Sequence, residues 1–216
     1  MTNNPGTLNS PLYTIFDPGL SGQRSPLSIV ADLLKGGSRV MQLRVKDGPA
    51  YEFLQLALEV RELTAAAGCL LIVNDRLDIA LACGADGVHL GQEDLPLAAA
   101  KKLMASHLIG ISTHTVEQAV EAERGGASYI GFGPIFGSMT KETGYSARGL
   151  AMLGEVRQAV KLPLVAIGGI TESNVLSVWQ AGANAAAMIS ELIAADHPAE
   201  KVRRVLALAQ SSPASS

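Results

Sequence analysis

The sequence predicts a single-domain α/β fold, a (β/α)8 TIM barrel, on three observations. Short β-rich apolar runs alternate with amphipathic segments along the whole chain, which argues for a parallel sheet with helical crossovers. The glycines recur at the joints between these segments rather than in a low-complexity tract. The 216 residues, 48% of them hydrophobic, are enough to bury one sizeable core.

Taken in order, the first strand is expected near Leu12 to Asp17, after an N-terminal stretch rich in polar and turn residues. An amphipathic segment then ends in GGSRVMQL at Gly36, and the second strand runs from Val40 to Lys46. GCLLIV at Gly68 opens the third, Leu70 to Asn74, and GADGVHL at Gly84 opens the fourth, Gly87 to Leu90. The fifth strand is read at Ile109 to Ser112, and the sixth, Tyr129 to Gly133, follows GGASYIGF at Gly125. The seventh spans Leu164 to Gly168, and GANAAAMI at Gly182 leads to the eighth, Ala185 to Ile189. Glycine just past a helix end supplies the left-handed conformation that closes it, so each of these joints reads as a helix-to-strand turn. About eight such units close a barrel. A doubly wound open sheet is the alternative, but no GxGxxG follows the first strand, and FDPGLSG does not substitute for it.

Composition narrows the function classes. A net charge of −3, no basic run and 4% aromatic residues argue against a nucleic-acid partner. Cys69 and Cys83 lie in apolar segments without CxxC spacing and read as buried hydrophobes in a reducing compartment. Neither a signal peptide nor an apolar run long enough to span a membrane is evident, so a cytoplasmic location and no membrane partner are expected. Residues 1–10 and the tail 211–216 are expected to be flexible, flanking a catalytic barrel over 11–210.

The second strand shows how pattern decides orientation. In VMQLRVKD, Met41, Leu43 and Val45 share one face and Gln42, Arg44 and Lys46 the other. In a helix-covered barrel the apolar set meets the helices, so the polar set looks inward near the rim and calls for an anionic partner. Asn74 and Asp75 end the third strand, and Asp94 follows the fourth in GQEDLP. Each acid also suits a helix N-cap. Their coincidence at neighbouring strand ends beside Arg44 and Lys46 favours a Mg²⁺ site completed by substrate phosphates, with Glu93 a competing ligand.

Ser112 ends the fifth strand, and Ser138, Thr140 and Lys141 sit in a long Gly-flanked loop, a lid candidate, after the sixth. His114, close to Ser112, has no third group beside it in sequence and reads as capping chemistry rather than half of a Ser/His pair. Gly168 and Gly169 permit close backbone approach at the end of the seventh strand, while Ile189 and Ser190 end the eighth. Phosphates frequently bind after these two strands in barrels. Trp179 reads as packing.

With QLRVKD, VNDRLDIALACGADGVHLGQEDLP, IGISTHT, GPIFGSMTK, AIGGI and MIS in that order, the chain resembles thiamine phosphate synthases from about Leu12 to its final helix. The resemblance implies a (β/α)8 barrel that joins hydroxymethylpyrimidine pyrophosphate to a thiazole phosphate, or its carboxylate, releasing pyrophosphate. It implies that Gln42, Arg44, Lys46 and Asn74 bind the pyrimidine pyrophosphate, with Ser112 and Lys141 also facing it. Asp75 and Asp94 would hold Mg²⁺, and Ser138, Thr140, Gly169, Ile189 and Ser190 would hold the thiazole phosphate. Arg44, Lys46, Ser112 and Lys141 would then be the catalytic groups. Val45 stands where the family commonly has an acid, and Gly137 and Ser138 replace a usual Pro-Thr. The competing readings are the related thiazole tautomerase, a non-catalytic binder of thiamine intermediates, and an unrelated phosphate-binding barrel isomerase. The first two do not need the retained Asp75 and Asp94, and the third calls for an acid/base pair at strand ends. Oligomeric state is not legible.

Overall fold

The computed structural model describes residues 8–137 and 146–211. Eight parallel strands close a barrel in chain order. They are β1 (Leu12–Phe16), β2 (Val40–Leu43), β3 (Leu70–Asn74), β4 (Gly87–Leu90), β5 (Leu108–Thr113), β6 (Tyr129–Phe132), β7 (Leu164–Ile167) and β8 (Ala185–Met188). The barrel shuts where Leu12, Tyr13 and Thr14 of β1 pair with Ala186, Ala187 and Met188 of β8. The connecting helices are α1 (Pro26–Lys35), α2 (Ala50–Ala66), α3 (Leu77–Ala82), α4 (Leu97–Leu103), α5 (Val116–Gly125), α6 (Gly149–Ala159), α7 (Val175–Gln180), α8 (Ser190–Ile193) and α9 (Pro198–Ser211).

Each strand came where the sequence placed it, with shorter ends at several rims. β2 ends at Leu43 rather than Lys46, because the polar row beyond it turns towards the barrel mouth. The Arg44 amide still donates to the Phe16 carbonyl at 2.9 Å, so the register with β1 survives one residue further. The glycine rule is right in kind and off by one at two joints. Gly37 and Gly126, not Gly36 and Gly125, take the left-handed conformation, with φ 108° and 80°, while Gly68, Gly84 and Gly182 hold positive φ where expected.

Strand alternation builds two apolar layers. Outward residues such as Met41, Leu43, Leu71, Val73, Val88 and Leu90 meet the buried faces of the helices, for example Ile29, Val30 and Leu33 of α1. Removing a large side chain from this layer, as in Leu33→Ala, forfeits burial and leaves a cavity, a loss of about 2–5 kcal/mol. Inward residues form a smaller cluster of Tyr13, Ile15, Val40, Ile72, Leu108, Tyr129, Val165, Ala185 and Ala187. Leu8 packs against this inner cluster and Ser10 hydrogen-bonds to the Leu12 backbone. Both cysteines are buried and free, and burial pushes the Cys69 thiol up to about 12. Trp179 is partly buried and donates its indole N–H to the Pro11 carbonyl at 3.0 Å, a packing role as expected. Among the described residues no helix is long and apolar enough to cross a membrane.

Candidate active site

A cavity of about 380 Å³ opens at the C-terminal mouth of the barrel. Parallel strands all end on this side, so the residue after each strand reaches the same rim. Arg44 and Lys46 enter from β2, Ser112 from β5, Gly168 and Gly169 from β7, and Ile189 and Ser190 from β8. Residues that the sequence reading did not place there join them, among them Asp17 after β1, His114 after β5, Thr171 after β7 and Glu191 after β8.

The polar row of β2 behaves as its alternation predicts. Val45 packs against the outer apolar layer, Arg44 and Lys46 face the cavity, and Gln42 lies deeper, buried inside the barrel with its amide donating to the Tyr13 hydroxyl at 3.0 Å. Arg44 is held by Asp17, whose carboxylate accepts from Nη1 at 2.8 Å, both side chains being largely buried. The other Asp17 oxygen accepts from the Gly19 amide at 3.0 Å. This fixes a guanidinium at the mouth before any ligand arrives, since the carboxylate that holds it is itself anchored by the Gly19 amide.

At the β7 side the backbone itself makes the wall. Gly168 and Gly169 have φ of 105° and 62°, and a Cβ on Gly168 would stand 2.6 Å from the Pro134 Cβ. Asn174 braces the turn that follows. Its side chain accepts from the Thr171 amide at 2.8 Å and donates to the Gly169 carbonyl at 3.0 Å. His114 also has a double position. Its amide donates to Gln118 in a cap that Thr115 completes on α5, and its ring nitrogen Nδ1 lies 2.7 Å from the Gly133 carbonyl while the ring lines the cavity. The capping reading of His114 therefore accounts for its backbone and not for its ring.

Asn74, Asp75 and Asp94 sit at the β3 and β4 ends, outside the residues that line the cavity. Neither acid is a helix cap. Arg76 occupies the N-cap position of α3 and Pro96 that of α4, both without a side-chain cap bond. Asp75 is exposed with a left-handed φ of 62°, and its amide donates to the His89 carbonyl at 2.8 Å, extending the β3–β4 ladder. Asp94 folds back so that Oδ2 accepts from the Gly91 amide at 2.6 Å. Strain on a non-glycine residue at a strand end is characteristic of functional positions. Among the described residues no group of three or more His, Cys, Asp or Glu side chains gathers around one point. A cation here would have few protein ligands. Ser138, Thr140 and Lys141, and with them the lid candidate, lie outside the described residues.

A family model described as thiamine monophosphate synthase matches residues 12–192, the span that holds all eight strands and the cavity. The chain belongs to the thiamine monophosphate synthase family. Its similarity to that family extends to whole proteins. It is 44% identical over 197 residues to the thiamine-phosphate synthase of Chloroflexus aurantiacus, covering 91% of each chain. It is 45% identical over 195 residues to that of Moorella thermoacetica, covering 90% of this chain and 93% of the relative. Among solved structures, the thiamine phosphate pyrophosphorylase of Pyrococcus furiosus superposes with a TM-score of 0.86 at 34% identity, covering 96% of both chains. The family resemblance read from QLRVKD, GQEDLP and AIGGI thus falls on one barrel rim, divided between cavity-lining residues and the β3–β4 acids beside them.

Proposed function

We propose that this barrel condenses 4-amino-2-methyl-5-hydroxymethylpyrimidine pyrophosphate with 4-methyl-5-(2-phosphoethyl)thiazole, or with its carboxylate and loss of CO₂, to give thiamine phosphate and pyrophosphate. Family membership makes the chain a transferase of thiamine biosynthesis. The observation that carries the substrate assignment is a single cavity with the Arg44 and Lys46 cations on one wall and the Gly169–Ser190 wall beside them. Two phosphorylated substrates call for such a pair of anion-accepting surfaces.

In this reading Arg44 and Lys46 bind the pyrophosphate and Ser112 donates to one of its oxygens. The pyrimidine CH₂–O bond breaks with its electron pair leaving on the pyrophosphate, and the thiazole nitrogen lone pair forms the new C–N bond. No protein nucleophile is needed. The chain contributes position and fixed positive charge aimed at the departing anion. Asp75 and Asp94 fit a hard divalent cation, being carboxylates at adjacent strand ends, one with Oδ2 already committed to Gly91 and the other held at the rim in a left-handed turn. Mg²⁺ held there supplies further neutralisation of pyrophosphate charge when bound. Gly169, Ile189 and Ser190 would take the thiazole phosphate. The same reading makes the partners small molecules and the location cytoplasmic.

The test is a coupled assay of pyrophosphate release and thiamine phosphate formation from the two substrates with Mg²⁺. Stoichiometric appearance of both products is expected. Folded protein that yields neither, yet isomerises the thiazole carboxylate phosphate, would replace this reading with the tautomerase.

A further inference from the structure

Beneath the cavity, the barrel interior carries a continuous file of polar side chains that no cavity-lining role explains. Gln42 Nε2 lies 3.0 Å from Tyr13 Oη, Tyr13 Oη lies 2.7 Å from Tyr129 Oη, and Tyr129 Oη lies 3.0 Å from His89 Nδ1. His89 Nε2 then lies 2.8 Å from Ser112 Oγ, which faces the cavity. The file links β2, β1, β6, β4 and β5, so it crosses the interior from one side to the other. Room for it is built into the strands. A Cβ on Gly110 would stand 2.1 Å from the Tyr129 ring, and one on Gly131 would stand 2.9 Å from His89 Cε1.

Hydrogen counting gives the file a direction. Burial raises both tyrosines above the ordinary phenol value, so each keeps its single hydroxyl hydrogen. Among the described residues Tyr13 has two side-chain partners, Gln42 and Tyr129. It accepts from the Gln42 amide, so its own hydrogen must go to Tyr129. The reverse order would leave that hydrogen buried without an acceptor, which proteins rarely tolerate. Tyr129 then donates to His89 Nδ1, which places the imidazole hydrogen on Nε2, where it is donated to Ser112 Oγ. With that acceptor site filled by His89, the Ser112 hydrogen is left to point into the cavity.

We propose that Gln42, Tyr13, Tyr129 and His89 act as a positioning relay that presents the Ser112 hydroxyl to the cavity as a donor for a pyrophosphate oxygen. The assignment rests on the reading of the cavity as a pyrophosphate site. The relay residues act through Ser112. A hydroxyl held in the opposite sense would present lone pairs to an anion and repel it.

Two measurements test it. In ¹⁵N spectra of the free protein, the His89 ring, assigned by loss of its signals in His89→Gln, is expected to be neutral with the hydrogen on Nε2. A hydrogen on Nδ1 would overturn the order. In calorimetric titrations with inorganic pyrophosphate and Mg²⁺, Tyr129→Phe is expected to weaken binding by about tenfold, the loss of one charge-assisted hydrogen bond. In a Ser112→Ala background the same substitution should cost nothing further. A loss that persists there assigns Tyr129 a purely structural role and overturns the relay. Should Tyr129→Phe fail to fold, Tyr13→Phe serves in the same cycle, with a smaller effect that must likewise vanish with Ser112→Ala. Wild type that does not bind pyrophosphate would sink the synthase reading and the relay's pyrophosphate role with it, while the His89 signal alone still decides the order of hydrogens along the file.

Discussion

At the β7–β8 side of the barrel mouth the wall is built on backbone positions locked by packing, with the Ser190 and Glu191 side chains beside them. At the β3–β4 side the candidate groups are carboxylates on turns beside it. Gly168 and Gly169 are wedged against Pro134 and Gly137, where a Cβ would come within 2.6 and 2.7 Å of its neighbours. Asp75 is exposed, and Asp94 is anchored through Oδ2 to the Gly91 amide. One side is a surface already shaped by packing. The other is a pair of negative charges that would repel a pyrophosphate unless a cation stands between them. On the proposed function, the two substrates would meet different kinds of recognition, one by preformed shape and the other by a site completed on binding.

The largest expected effect lies on the charged side. Asp75→Asn keeps the side-chain shape, and Asn tolerates the left-handed φ of 62° better than most residues, so the fold should be untouched or slightly relieved, by less than about 1 kcal/mol. The synthase rate at fixed Mg²⁺ should fall by about 100-fold or more, the several kcal/mol that metal-held charge neutralisation contributes to a transition state. Thermal unfolding and steady-state kinetics on the same preparation check it. Full activity in Asp75→Asn would remove the cation from the argument and leave the two sides of the rim alike.

Gly168→Ala probes the packed side and should show the opposite split. A left-handed backbone at φ 105° and a Cβ 2.6 Å from Pro134 together predict a loss of about 2–5 kcal/mol in stability. The surviving folded protein should show a raised KM for the thiazole phosphate and little change for the pyrimidine pyrophosphate. If both KM values move together, the β7 wall does not serve one substrate alone.

How much of this was legible in the sequence follows the same division. The barrel and its strand order were readable because period-two alternation and glycine joints are local signals. The off-by-one at Gly36 and Gly125 arose because both joints carry Gly-Gly, and only packing decides which of the pair turns left-handed. Arg44, Lys46, Ser112, Gly169, Ile189 and Ser190 were readable as strand-end residues, and the cavity gathers them. Asp17 is harder to read, because FDPG offers no phosphate fingerprint, although an acid just after β1 stands at the same rim as Arg44. His89, Tyr13 and Tyr129 carry a weaker signal of the same kind. The alternation that pointed Gln42 inward points these three inward as well, and only their cross-strand registers show that they touch.

The smallest effect expected is electrostatic and lies behind the β7–β8 wall. Lys201 of α9 pairs with Glu172 at 2.9 Å and with Glu191, which lines the cavity, at 3.0 Å, and Arg204 reaches Glu172 at 2.9 Å. Hydrogen bonds from Arg204 and then Lys201 hold the Glu172 carboxyl below its ordinary value. A carboxyl whose folded value is depressed adds stability above the unfolded value of about 4.3, and that stability is lost as pH falls through the lowered folded value. Glu172→Gln should therefore cost less than about 1 kcal/mol at neutral pH, since the groups are partly exposed, with the difference from wild type shrinking in high salt and disappearing at the acid end. Denaturant melts across pH at two ionic strengths would measure this. A larger cost that survives salt, accompanied by a raised KM for the thiazole phosphate, would mean that charge pairs rather than packing hold the β7–β8 wall. The two sides of the mouth would then both rest on charged groups, paired among themselves at β7–β8 and awaiting a cation at β3–β4 on the proposed function.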